Sequence, residues 1–453
     1  MRRGLVASVV GVVACAGVAG LVVWSPWSQT ADGHLKDTID VYQGATYVPP
    51  PQPQSGLHVV EVPIPTAGSG PTQETIAQAW AGMESAASEG KWKAWAYVAD
   101  GDTGEVIFEA DSGTPHTPAS IAKILTADFA LSALDGKNTL ATGVSYADNS
   151  LYLWGEGDLL LSAGVGNSTA IAGRAGLADL AAKTAKELSE RKVSEVSLIY
   201  QDSLFQGDKR LPAWAAQEVT DFAGDTTSFA IETGRIAPGE WAFVDDSAAV
   251  VAAEFASRLQ EAGITVTSTQ PGSSIAGATQ IAEVHSAPIT EQIMYMLHDS
   301  DNTMAEQLCK LAAQAQGAET TFAGATSAVI DHVASLGIDT AGLYLDDCSG
   351  LSENDKIAPR QLGEVLKQSR SLLQMLPRAG IDGTLIDRLD QAQTFGNLQA
   401  KTGSLGSVSS LAGLVTSADG KTLIFAVGAD GVPDEGAYWV KPYIDQFVSA
   451  LAG

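Results

Sequence analysis

Three short motifs, in a fixed order, constrain the fold of this chain more than any other feature of its sequence. Ser120–Lys123 (SIAK) comes first, Ser300–Asn302 (SDN) second and Lys401–Gly403 (KTG) third. Together they supply a hydroxyl nucleophile, amines that can activate it, and a basic segment that can attract a carboxylate. Any fold that uses all three must bring distant parts of the chain into one site.

The surroundings of Ser120 distinguish it from other serines in the same pattern. Two further S-x-x-K strings begin at Ser88 and Ser189, at the polar ends of predicted helices. Ser120 instead opens an apolar stretch that closes at Gly136, which predicts a helix with Ser120 in its first turn and Lys123 one turn further on. There, a backbone N–H and the helix dipole would help to stabilise an oxyanion.

The chemistry of a serine nucleophile predicts a role for each polar motif residue. The chain has six histidines and no G-x-S-x-G string, and a buried lysine can replace histidine as the base. We predict Lys123 as that base. Lys401 would supply a positive charge that disfavours protonation of Lys123 and attracts a substrate carboxylate. Ser300 and Asn302 would relay a proton to the leaving amine and hold the substrate amide.

The third motif lies in a predicted β-hairpin that contains an Asp-Gly turn at residues 419–420. We predict that Lys401, Thr402, Gly403 and Ser404 bind substrate along an edge strand. Gly403 would allow the substrate backbone to approach closely. The backbone N–H groups of Ser120 and Ser404 would form the oxyanion hole.

The ordered motifs are typical of penicillin-binding proteins and serine β-lactamases, and further segments narrow the resemblance. From about residue 73 to its C-terminus the chain resembles the D-alanyl-D-alanine carboxypeptidase/endopeptidase family called penicillin-binding protein 4-like, a low-molecular-mass class C group. The segments that carry this resemblance are Gly155–Asp158, Trp214, Asp346–Ser352 with Asn354, and Leu376–Leu385. The chain departs from the family pattern at Leu159, where a proline is usual, and at Cys348, where the usual residue has no thiol.

This resemblance implies an α/β (α+β) fold in which helices flank an antiparallel sheet, as in serine β-lactamases and DD-peptidases. Residues 72–145 and 285–453 would form a discontinuous catalytic domain, and 146–284 one or two inserted small domains. The 180 positions between Ser120 and Ser300 are too many for a class A β-lactamase. A C-terminal amphipathic helix with apolar positions from Tyr438 to Leu451 should pack on the sheet.

The N-terminus predicts export. Residues 1–26 form a signal or anchor segment, because Leu5–Trp24 contains no charge and follows two arginines. Both an uncleaved membrane anchor and a cleaved signal fit this pattern, so the protein is expected at the outer face of the cytoplasmic membrane or secreted. Residues 27–71 are a Pro-rich linker.

The net charge of −27 argues against nucleic acid as a partner. The sequence contains no zinc-type Cys/His spacing and no phosphate-binding glycine loop, so we expect no metal and no cofactor. Beyond the N-terminal segment, Cys309 and Cys348 are the remaining cysteines. They can form a disulfide or remain two buried thiols, and the sequence leaves both open.

The resemblance implies a serine carboxypeptidase, with or without endopeptidase activity, that acts on peptidoglycan stem peptides through a Ser120 acyl-enzyme. β-Lactam antibiotics would acylate the same serine. One alternative is a β-lactamase or esterase of the same fold, which would differ in the fate of the acyl-enzyme. Another is a catalytically inactive wall-binding protein.

Overall fold

A computed structural model of the chain describes residues 70–237, 240 and 242–453. The predicted signal or anchor segment, and the predicted linker up to residue 69, lie outside these residues. In the described part of the chain, no helix is both long enough and apolar enough to cross a membrane.

The described residues form twelve strands and eleven α-helices. The strands are β1 Lys93–Asp100, β2 Val106–Ala110, β3 Ala141–Ala147, β4 Ser150–Gly155, β5 Asp158–Leu161, β6 Glu195–Tyr200, β7 Phe229–Ile231, β8 Thr265–Pro271, β9 Thr279–His285, β10 Leu398–Leu405, β11 Val408–Thr416 and β12 Thr422–Asp430. The helices are α1 Gln73–Gly90, α2 Lys123–Ala133, α3 Leu177–Glu190, α4 Ala213–Ala216, α5 Ser247–Glu261, α6 Ile289–Asp299, α7 Asn302–Ala315, α8 Phe322–Ser335, α9 Pro359–Gln368, α10 Arg370–Leu373 and α11 Lys441–Ala452.

A five-stranded antiparallel sheet in the order β10-β11-β12-β1-β2 supports the site. On one face, α1 and α11 cover it with an apolar cluster that includes Trp80 and Phe447. On the other face, α2, α6, α7, α8 and α9 form a second core around residues such as Ile124, Leu308 and Val365. Strand β10, which carries the KTG motif, is at one edge of this sheet. The predicted antiparallel sheet flanked by helices is therefore confirmed.

A second sheet, in the order β8-β6-β4-β3-β9, lies between the first and second motifs in sequence. It is mixed, because β6 pairs in parallel with β4 and β8 while β3 pairs antiparallel with β4 and β9. Helices α3 and α5 pack on it. Since β3 begins at Ala141 and β9 ends at His285, this sheet spans 141–285 rather than 146–284. The division of the chain into domains stays a proposal.

Two local predictions need correction. Ser120 lies in a 3₁₀ helix, Ala119–Ala122, and the α-helix begins at Lys123. At the C-terminus, a 3₁₀ helix covers Pro433–Val440 and α11 begins only at Lys441. Ile444, Phe447, Val448 and Leu451 are buried as predicted, whereas Tyr438 and Trp439 are 67% and 76% exposed. These two aromatic residues precede α11, so the α-helical period does not place them on its buried face.

Cys309 and Cys348 form a disulfide with their Cα atoms 6.3 Å apart. The bond joins α7, which begins at Asn302 of the second motif, to the loop at residues 346–352. The disulfide hypothesis is therefore confirmed over the two free thiols. It links two segments that both contribute to the site described next.

Candidate active site

The nucleophile segment is held in a strained backbone conformation. Ala119, immediately before Ser120, has φ +52°, a left-handed value that is uncommon for a residue other than glycine. Gly350 packs against it so closely that a Cβ at Gly350 would lie 2.0 Å from the Ala119 carbonyl oxygen. The loop at 347–352 thus supports Ser120 from behind, and Ser120 itself stays partly exposed.

Lys123 is fully buried, and its amine has three neighbours within hydrogen-bonding distance. The Nζ atom lies 3.0 Å from Ser120 Oγ, 2.6 Å from Asn302 Oδ1 and 2.7 Å from the Ser349 carbonyl oxygen. The amide orientation of Asn302 is fixed because its Nδ2 donates to the Phe222 carbonyl at 2.9 Å. The structure therefore brings the first two motifs together as predicted.

A charged lysine can donate to all three of these neighbours, and the same contacts also serve a neutral amine. A neutral lysine has two N–H donors and one lone pair. Asn302 Oδ1 and the Ser349 carbonyl can only accept hydrogen bonds, so they take both donors. The remaining lone pair is then directed to Ser120 Oγ, whose O–H can donate to it. This is the arrangement that a base needs before it removes the serine proton.

Burial also favours the neutral amine. It lowers the pKa of Lys123 to about 8, although the carboxyl groups of Asp347, Glu306, Asp301 and Asp355 act in the opposite direction. Desolvation is the larger effect. At pH 7, one unit below this value, about a tenth of the enzyme carries Lys123 in the basic form.

The second motif connects two helices. Helix α6 ends at Asp299, Ser300 takes a left-handed φ of +56°, and Asp301 caps α7 by accepting a hydrogen bond from the Met304 N–H at 2.9 Å. Asp301 is thus a helix cap, and Ser300 and Asn302 on either side of it reach the two lysines. Ser300 Oγ accepts from Lys401 Nζ at 2.8 Å.

Lys401 is buried in β10, and its surroundings act on its charge. Burial, followed by the nearby Lys123 cation, holds the pKa of Lys401 well below its ordinary value. Repulsion between the two amines thus favours loss of the proton from Lys401. The charged form of Lys123, in contrast, is stabilised by nearby carboxyl groups. Burial therefore makes the charged form of Lys401 less favourable than that of an exposed lysine. Its amine donates to Ser300 Oγ and to the Thr402 carbonyl.

Gly403 packs closely against the segment that bears the nucleophile. A Cβ at this position would lie 2.1 Å from Ser410 Oγ, 2.8 Å from the Pro118 carbonyl oxygen and 3.2 Å from Ala119 Cβ. This packing requires glycine at position 403, and the predicted close approach of a substrate backbone there stays a prediction. Ser410 Oγ donates to the Pro118 carbonyl at 2.7 Å, which fastens that segment to β11.

Thr402 and Ser404 lie on either side of Gly403 in the edge strand. Thr402 Oγ1 is 3.0 Å from Thr384 Oγ1, and Ser404 is exposed. The first half of β10 bonds to residues 377–379, whereas from Lys401 onward its outer edge has no partner strand among the described residues. This second half can therefore pair with an extended peptide. The assignment of the Ser120 and Ser404 N–H groups as the oxyanion hole stays a prediction.

Several residues that hold the site were not assigned a role from the sequence. Asp347 accepts hydrogen bonds from the loop that positions the Ser349 carbonyl and from the indole N–H of Trp214. Glu306, in α7, accepts from the Cys348 N–H. Asp347, Ser349 and Trp214 lie in segments that carry the family resemblance, which was the available signal. Ser410 lies in a strand with no motif.

Fold and site together define a class of enzyme. A serine hydroxyl beside a buried, partly neutral lysine, next to an edge strand of an antiparallel sheet, is the arrangement of a serine acyl-transfer enzyme with a lysine base. Among the described residues, no group of three or more His, Cys, Asp or Glu side chains is arranged to hold a metal ion.

Comparisons with known proteins identify the family. Residues 83–239 and 234–451 match the D-Ala-D-Ala carboxypeptidase 3 (S13) family. Carboxypeptidase DacB of Mycolicibacterium smegmatis is 33% identical over 405 residues, which cover 84% of this chain and 86% of that protein. A carboxypeptidase of Mycobacterium tuberculosis is 32% identical over 405 residues, with 83% and 84% covered. The crystal structure of penicillin binding protein 4 from Haemophilus influenzae has a TM-score of 0.68 at 20% identity and covers 82% of this chain and 98% of its own.

The chain therefore belongs to the D-Ala-D-Ala carboxypeptidase 3 (S13) family, and it is a serine D-Ala-D-Ala carboxypeptidase. The predicted family and enzyme class are both confirmed.

Proposed function

We propose that Ser120 is the nucleophile and Lys123 its general base. Ser120 Oγ attacks the carbonyl carbon between the two terminal D-alanines while its proton passes to Lys123 Nζ. The C–N bond then breaks, and the leaving amine of D-alanine takes a proton through Ser300 Oγ, which accepts from Lys401. Lys123 releases the proton of Ser120 to solvent and, as a neutral base again, takes a proton from the water that attacks the ester. The C–O bond then breaks, and Lys123 returns this proton to Ser120 Oγ, which restores the enzyme. The observation that supports this most directly is the Lys123 amine with both N–H donors engaged and its third position 3.0 Å from Ser120 Oγ.

The C-terminal carboxylate of the substrate gives Lys401 a role in binding. A peptide that pairs with β10 and places its scissile carbonyl near Ser404 would bring its carboxylate to Lys401 and Thr402. A bound carboxylate raises the pKa of a neighbouring amine. Lys401 would then gain its proton on substrate binding, become the cation that holds the carboxylate, and be ready to supply a proton to the leaving group.

A β-lactam presents an amide and a carboxylate in the same relation, so it should acylate Ser120. The penicillin binding protein 4 of Haemophilus influenzae has been solved with a β-lactam, at a TM-score of 0.62 to this chain. We further propose that the substrates are peptidoglycan stem peptides outside the cytoplasmic membrane, which is where a disulfide is stable. Cleavage of D-Ala cross-links would be a second use of the same acyl-enzyme.

The test is release of D-alanine from a synthetic stem peptide ending in D-Ala-D-Ala, with Ser120→Ala as the control. We expect release by the wild-type protein and none by the variant, which should also lose covalent labelling by fluorescent penicillin. Rapid turnover of a chromogenic cephalosporin without D-alanine release would indicate a β-lactamase. Peptidoglycan binding with neither activity would indicate the inactive wall-binding protein.

A further inference from the structure

Asp347 is a fully buried carboxylate that no step of the proposed reaction uses. It receives six hydrogen bonds. Four donors reach its Oδ1 and two reach its Oδ2, at distances of 2.7 to 3.3 Å. These donors are the backbone N–H groups of Ser349, Gly350, Leu351 and Ser352, the hydroxyl of Ser349 and the indole N–H of Trp214.

These six donors are of the kind that a carboxylate accepts, and N–H groups reach both oxygens of Asp347. A carboxylate that accepts several backbone N–H bonds is strongly stabilised in its charged form. Asp347 therefore closes a tight loop around a buried carboxylate.

The loop that Asp347 closes contacts both reacting residues. The N–H and hydroxyl of Ser349 are bonded to Asp347, and the carbonyl of the same residue accepts from Lys123 Nζ at 2.7 Å. Gly350, bonded to Asp347 at 2.8 Å, packs under Ala119 directly before the nucleophile. The direction of the Ser349 carbonyl, and with it one of the two N–H bonds of Lys123, depends on this carboxylate.

We infer that Asp347 is a positioning residue for Lys123: it fixes the Ser349 carbonyl that orients the amine, and it supplies buried negative charge facing that amine. The inference rests on the proposed role of Lys123 as the base. Among the groups that act on the pKa of Lys123, Asp347 is the strongest of those that favour the charged form.

The other charged groups around Lys123 behave differently from Asp347. Burial and the Asp347 charge raise the pKa of Glu306 to about 8 and hold the pKa of Asp355 well above its ordinary range. Asp355 also shares a hydrogen bond with Asp347. Burial thus favours the neutral form of both carboxyl groups. The remaining charges nearby are Asp301, which caps α7, Lys401, whose pKa is depressed, and Lys310, whose pKa is lowered to about 8 by burial.

This difference in charge supplies a matched pair of variants. Asp347→Asn removes the carboxylate that accepts the six bonds, whereas Asp355→Asn makes the same substitution at a neighbouring buried carboxyl group whose neutral form is favoured by burial. The measurement is the second-order rate constant for acylation by fluorescent penicillin from pH 5 to 10. It gives two quantities, the alkaline plateau and the midpoint of the acid limb.

For Asp347→Asn we expect the plateau to fall at least tenfold, because the Ser349 carbonyl loses its support. We expect the midpoint to move to lower pH, on the order of one unit, because loss of the negative charge makes Lys123 easier to deprotonate. Asp355→Asn should move the midpoint by less than Asp347→Asn does, because Asp355 is the weakest of the four carboxyl groups that act on Lys123, and should keep a plateau within about threefold of wild type. A lower plateau with an unmoved midpoint in Asp347→Asn, or the same midpoint shift in both variants, would overturn the inference.

If the Asp347→Asn protein does not fold, the same measurement is made on Trp214→Phe. This variant removes the indole N–H that donates to Asp347 at 2.8 Å and leaves the charge in place. We expect a plateau reduced severalfold at the wild-type midpoint, and an unchanged plateau would contradict the positioning role. Failure of the proposed function is a separate result, since it would appear as wild-type protein that neither releases D-alanine nor forms an adduct.

Discussion

Replacement of Gly403 by alanine should separate the KTG strand from the nucleophile. The added Cβ would lie 2.1 Å from Ser410 Oγ and 2.8 Å from the Pro118 carbonyl oxygen. The Ser410 hydroxyl can rotate away only by giving up its bond to Pro118. The carbonyl oxygen belongs to the backbone, so it must move outwards to at least the 3.4 Å of an ordinary contact.

A displacement of this kind, between roughly 0.6 and 1 Å, shifts Ser120 relative to the strand that binds substrate. Misplacement of reacting groups by about 1 Å can reduce a rate by about 10²-fold. We therefore expect the acylation rate constant of Gly403→Ala to fall by about that factor, with a loss of roughly 1–3 kcal/mol in the free energy of unfolding.

Two glycines provide controls, measured by penicillin acylation and urea unfolding. Gly143→Ala places a Cβ 2.3 Å from the Trp154 ring in the second sheet, so it should lose stability but acylate at the wild-type rate. A Cβ added to Gly82 in α1 would have no neighbouring atom within 4 Å, so Gly82→Ala should gain about 0.5–1 kcal/mol with no change in acylation. Acylation by folded Gly403→Ala within threefold of wild type would refute the steric argument.

Two further changes test the contacts that hold the site. The double variant Cys309→Ser/Cys348→Ser removes a disulfide between residues 39 positions apart. Urea unfolding should show a loss of roughly 4 kcal/mol in its free energy of unfolding, whereas Cys15→Ser should show no loss. Ser410→Ala leaves the buried Pro118 carbonyl without its donor, which should cost about 1–3 kcal/mol and lower the acylation rate constant. Wild-type stability and acylation in Ser410→Ala would show that this bond does not hold the nucleophile segment.

The parts of the site that the sequence could predict are those in which local pattern decides the structure. Helix α7 follows from Asp301 as its N-cap, and the β11–β12 hairpin from the Asp419–Gly420 turn between two apolar runs. The contact between Ser120 and Lys123 follows from their spacing within successive helical turns. In each case the physical cause lies within a few residues of the motif.

The parts that sequence could not predict depend on contacts between distant segments. The requirement for glycine at 403 comes from Pro118 and Ser410, which are brought to it by the fold. The charge of Lys401 depends on burial and on the approach of Lys123, and neither is visible in a strand pattern. The exposure of Trp439 is set by the point at which the 3₁₀ helix gives way to α11.

The most direct test of the central claim is the pH dependence of acylation in the wild-type protein, Lys123→Arg and Lys401→Arg. The wild-type rate constant should rise with pH about a midpoint near 8, as Lys123 loses its proton. Lys123→Arg should lose acylation at every pH, because guanidinium does not give up its proton. Lys401→Arg should retain measurable acylation with its midpoint moved to lower pH, since a permanent charge there disfavours the Lys123 cation. A wild-type rate that is flat from pH 5 to 10, or equal losses in the two variants, would contradict the assignment of Lys123 as the base.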